Sequence, residues 1–122
     1  DWSSDVCSSD LKITALLEKY EDFKYAQMRW IEEISDSSKV ITIVVQDDDG
    51  EDLSSVKVTF TGIKEERILV NSVLGYLDMG FGVSMIKEHG LFGFALGSGT
   101  AMLHVRSAPL YIISTGITIE EV

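Results

Sequence analysis

Residues 39–46 read K-V-I-T-I-V-V-Q, and residues 56–60 read V-K-V-T-F. Val40, Ile41, Thr42, Ile43, Val44 and Val45 form an unbroken β-branched run. Such side chains lose χ1 freedom against a helical turn and pack well on a pleated surface. The run is apolar on both faces, so it reads as a central strand. Val56, Val58 and Phe60 then alternate with Lys57, Thr59 and Thr61, the period of a half-buried strand. Between the two lies D-D-D-G-E-D, with Gly50 free to take a left-handed turn conformation.

The later chain repeats this pattern on a shorter scale. Residues 81–86, 91–96, 101–106, 110–113 and 117–120 read as short strands. Glu88-His89-Gly90 and Gly97-Ser98-Gly99 supply reversals. Gly62 is expected to break the strand that ends near Phe60, and residues 67–70 to form a further short strand. Ser107-Ala108-Pro109 is expected to end a strand, because proline cannot donate to a ladder. Residues 71–79 read as a helix or loop, with Asn71 as its cap. Many short, evenly spaced strands predict a mainly β fold with α+β character at its margin. The expected form is one antiparallel curled sheet, or a partly open barrel, of about 6–8 strands.

Before Ser35 the pattern is mixed. Ile13, Leu16, Leu17 and Tyr20 fall on one helical face, which predicts an N-terminal helix over residues 12–20. Residues 24–34 carry two readings. Phe23, Met28, Ile31 and Ile34 would extend a helix. Alternatively Ala26, Met28 and Trp30 alternate with Gln27, Arg29 and Ile31 as a strand, and the aromatic density there favours the strand. Residues 1–11, D-W-S-S-D-V-C-S-S-D-L, have no usable period. Back-translated, the stretch resembles the tail of a sequencing-library adapter read in one frame. That resemblance implies an artefactual tail at 1–11 and a single β-rich domain at 12–122. It also implies that Cys7 is foreign to the domain, leaving no thiol for disulfides or metals.

Ten basic and 20 acidic residues give a net charge of −10, or −7 without Asp1, Asp5 and Asp10. The basic residues are scattered, which argues against nucleic acid, since phosphate binding needs clustered cations. No apolar run approaches the ~18 residues of a membrane helix. The absence of domain thiols fits a cytoplasmic setting.

Motifs for chemistry fail on spacing. With Gly50 at position six of a calcium loop, Val45 stands at position one and cannot ligate. In A-L-G-S-G-T-A, Gly99 is followed by Thr100 where a phosphate loop needs lysine. His89 and His104 lack a third ligand of matched geometry. Ser98 has no nucleophile-elbow context. Glu32 and Glu33, Glu65 and Glu66, and Glu120 and Glu121 are adjacent pairs, so on strands each pair points to opposite faces. The chain therefore reads as a non-enzyme, with no catalytic residue, no cofactor and no metal site.

The order Y-E-D-F-K-Y-A-Q-M, then I-T-I-V-V-Q, then V-T-F-T-G-I resembles a group of small uncharacterised bacterial β-rich proteins. Phe23-Lys24-Tyr25-Ala26 stands where they carry a D-F-H-D-A-like start. Val58-Thr59-Phe60-Thr61-Gly62-Ile63 matches their V-x-F-x-G-V strand end. Some of these proteins are regarded as immunity proteins for bacterial toxins, so the resemblance implies a non-catalytic interaction protein. A basic protein partner would be met by the acidic turn, through Asp47, Asp48, Asp49, Glu51 and Asp52. The alternative is a small-molecule-binding β-module whose cavity is lined by Phe81, Phe92, Phe94 and Tyr111.

Overall fold

The computed structural model describes residues 8–24, 26–46, 49–76, 80, 82–97, 99 and 101–121. A helix, α1 (Ser8–Lys19), precedes five strands: β1 (Gln27–Ser35), β2 (Ser38–Gln46), β3 (Asp52–Arg67), β4 (Val83–Glu88) and β5 (Leu91–Leu96). A short helix, α2 (Met102–Arg106), and a long strand, β6 (Tyr111–Glu121), complete the chain. The strands form one open antiparallel sheet in the order β1-β2-β3-β6-β5-β4. The mainly β fold with an N-terminal helix is thus the one the patterning predicts, with six strands. Of the doubly read segment 24–34, residues 27–34 lie in strand β1, and β2 lies inside the sheet as its two apolar faces required.

The core follows from register. Ile31, Ile41, Val58 and Ile119 are paired in turn across β1, β2, β3 and β6, and all four are buried. Met28, Ile43 and Val56 form the next row. Each fully buried aliphatic side chain contributes about 1.5–3 kcal/mol. Phe60 and Phe94 meet edge to face at 5.3 Å between centroids. Ile13 and Leu16 of α1 cover this face, and Met28 of one edge strand joins the same cluster as Val83 of the other.

Several expectations are corrected. Residues 101–106 are not a strand; Met102–Arg106 is helical. Five residues are too few for alternation to decide between periods. Met102 and Val105, one helical turn apart, pack with Ala95, Tyr111 and Ile113 on the sheet face opposite the main core. The second face of β4, β5 and β6 needs a cover, and α2 supplies it. A Cβ on Gly93 would meet Met102 Sδ at 2.7 Å, so the bare glycine lets the helix dock. Ser107-Ala108-Pro109 therefore ends a helix, not a strand. Residues 111–113 and 117–120 belong to one strand, β6, whose first four residues are buried on both faces, and Leu110 lies just before it.

Gly62 does not end β3. It takes φ +64°, opposite Thr115, and the strand continues to Arg67 after a register shift between Ile63 and Glu65. Residues 68–70 are not a strand, and Asn71–Tyr76 forms a 3-10 turn.

The segment Glu21–Phe23 is a left-handed turn, with φ of 52°, 61° and 60°. Such conformations cost of order 1–3 kcal/mol each outside glycine. Phe23 anchors it, fully buried and stacked on Tyr20 at 5.6 Å. Gly82 lies so close to the Asp22 carbonyl that no side chain fits there.

Candidate interaction site

The acidic turn is less free than its sequence suggests. Asp47 and Asp48 lie outside the described residues; Asp49 and Glu51 are exposed. Asp52 accepts from Gln46 Nε2 at 3.1 Å and pairs with Arg29 at 3.2 Å. The Gln46 hydrogen bond, then the Arg29 guanidinium, hold its carboxyl below the ordinary carboxylate value. Asp52 therefore ties the ends of β1, β2 and β3 together.

The other candidates disperse. Glu65 pairs with Arg106 of α2 at 3.0 Å, while Glu66 reaches Lys39 at 2.9 Å on the core side. Glu121 accepts from Tyr20 Oη and, at 2.9 Å, from Lys19 Nζ. His89 is exposed in the β4–β5 turn, and His104 is exposed on α2. No group of three histidine, cysteine, aspartate or glutamate side chains is placed to hold a metal among the described residues. No helix among them is long and apolar enough to cross a membrane.

The aromatic positions do not line one cavity. Phe94 lies in the main core, whereas Tyr111 lies on the opposite face beside α2. Phe92 lines a cavity of about 80 Å³ with Ile13, Leu17 and Met85. Drug-sized ligands need ~300 Å³ or more. Phe81 is outside the described residues.

A larger site lies along the outer edge of β1, and the sequence patterning missed it. A groove of about 540 Å³ is bounded by residues 30–33 on one side and residues 68–71 on the other, with Lys39 between them. A register shift between Met28 and Trp30 decides which β1 side chains reach it. Simple alternation puts Trp30 on the core face with Ala26 and Met28. One extra residue reverses the faces, so Ile31 enters the core and Trp30 is left 54% exposed. Val70 is 68% exposed across the groove. The far wall is held by Asn71, whose Oδ1 accepts from Ile31 N–H at 2.7 Å and whose Nδ2 donates to the Ile31 carbonyl at 3.2 Å. Asn71 is a side-chain substitute for the next strand, not a helix cap.

Lys39 is the unusual group here. It is 3% exposed, and Glu66 is the partner of its ammonium among the described residues. Glu33 faces it directly in register on β1. Glu32 and Glu33 against one lysine, itself paired with Glu66 outside the lining, give the groove an acidic rim around apolar walls. The signals in the sequence are Trp30 and the apolar run Ile68-Leu69-Val70, and neither reads as a groove wall without the register.

No family model matches the chain, and no curated protein or solved structure matches it.

Proposed function

We propose that this chain is a non-catalytic interaction protein that holds a basic segment of another bacterial protein, in the manner of a toxin-immunity protein. One observation supports the reading above the rest: the open apolar groove beside β1 is rimmed by Glu32 and Glu33 on a chain of net charge −10. Apolar walls supply affinity, and a complementary rim raises the encounter rate and rejects acidic partners. The same charge disfavours nucleic acid as a partner. A cytoplasmic setting suits an inhibitor that meets its target where the target would act.

Selection of a random 15-residue peptide library on the immobilised chain tests this. The expected result is enrichment of peptides with net positive charge and at least one large apolar residue, with binding that weakens from 50 to 500 mM salt. Enrichment of acidic peptides, or of none, overturns the reading.

A further inference from the structure

We infer that the β1 groove takes its partner as an extended peptide, whose backbone carbonyl accepts from Lys39 Nζ while an apolar side chain packs against Trp30 and Val70. This rests on the reading above and names the form of the occupant.

Three observations carry it. First, an ammonium has three N–H donors. Lys39 lines the groove almost fully buried, and the one hydrogen bond of its ammonium among the described residues goes to Glu66. Unpaired buried donors are costly, so the remaining donors favour an acceptor delivered by an occupant. Second, the neighbouring charges decide what kind of acceptor. Glu66 already pairs with Lys39, and Glu33 stands opposite it in register. A carboxylate or phosphate would meet that negative rim; a neutral carbonyl would not, and basic side chains flanking it would meet Glu32 and Glu33. Third, one wall is the backbone edge of a strand. Edge strands accept extended chains, with apolar pockets reading alternate side chains. Asn71 fills the Ile31 rung of that edge, so an added chain would pair beyond it, alongside residues 32 and 33.

A second copy of this chain is the other occupant such an edge could take. Its own groove rim is acidic, and the chain carries twice as many acidic as basic residues. Like charges brought together oppose that pairing.

The probe is an acetylated, amidated decapeptide alternating lysine and valine, with its glutamate–valine counterpart as control. The protein carries Trp2→Phe, so Trp30 is its one tryptophan. The lysine peptide is expected to shift Trp30 emission to the blue and to perturb backbone resonances of residues 30–33, 39 and 68–71. The Lys39 ammonium protons should become observable through slowed exchange. Val70→Ala, at an exposed position, should weaken binding about tenfold. Glu32→Gln with Glu33→Gln should weaken it several-fold at 50 mM salt and leave it unchanged at 1 M. Perturbations centred on residues 49–52 instead would overturn this inference and leave the proposed function standing. Binding of the glutamate peptide in preference would overturn it too, as would groove perturbations that appear with protein concentration alone. Failure of the lysine peptide to bind also overturns it, and the library selection then decides the broader reading.

Discussion

Asn71 and Ile31 are joined as two residues of neighbouring strands would be, although one of them contributes only its side chain. The Ile31 N–H donates to Asn71 Oδ1 at 2.7 Å, and the Ile31 carbonyl accepts from Asn71 Nδ2 at 3.2 Å. This link closes part of the β1 edge and holds the groove wall in place.

Asn71→Ala removes both bonds, each contributing about 1 kcal/mol. The expected loss is about 2 kcal/mol in urea unfolding, with faster hydrogen exchange at the Ile31 amide. Asn71→Asp keeps the acceptor but sets a lone pair against the Ile31 carbonyl, so it recovers at most half of that loss.

Gly93 and Met102 occupy one space. Gly93→Ala brings a methyl group against Met102 Sδ and Val105, an overpacking that costs about 1–3 kcal/mol. Met102→Ala alone leaves a cavity and costs about 2–5 kcal/mol. The double variant should lose clearly less than the two losses combined, because each change relieves the other. Strict additivity in thermal unfolding would mean that α2 does not dock on Gly93.

The Lys39–Glu66 pair behaves differently under single and double substitution. Glu66→Ala leaves a buried ammonium without its carboxylate, at a cost of about 3 kcal/mol. Lys39→Met together with Glu66→Leu removes both charges and should fall within about 1 kcal/mol of the parent, since an apolar pair needs no desolvation of ions. Equilibrium denaturation of the three proteins measures this directly.

Acid stability should depend on Glu121. Hydrogen bonds from Tyr20 and then Lys19 hold its carboxyl below the ordinary carboxylate value. Its contribution is therefore present above the unfolded value of about 4.3 and is lost as pH falls through the lower folded value. Glu121→Gln should be less stable than the parent at pH 7, and the difference should shrink toward zero as acid protonates the carboxylate. Urea midpoints from pH 7 to pH 2 check it. Lys19 is raised, chiefly by the same bond to Glu121, so the pair should also weaken as pH rises through the lysine range.

The two motifs carried by the sequence resemblance have structural reasons. Phe23 pins the left-handed turn at Glu21–Phe23 into the core. Val58 and Phe60 are buried on β3, and Gly62 supplies the positive φ opposite Thr115. Sequence pattern alone makes that glycine a terminator. On a strand with two paired neighbours it marks a kink, because the ladder on either side continues to hold the backbone.

Period-two patterning determined the class of this protein: a β-branched run such as residues 40–45 has one comfortable place, inside a sheet. Burial of β-branched rows follows from that pattern alone, because side-chain direction alternates along any strand. The groove did not follow from it. A single extra residue near Arg29 exchanges the faces of β1, sending Trp30 outward and Ile31 inward. The fate of residues 101–106 was likewise set elsewhere, by an uncovered sheet face and a glycine on β5 that a helix could approach. Local sequence fixes which way neighbouring side chains alternate; where the alternation slips, and which face remains open to a partner, depends on strands distant in the chain.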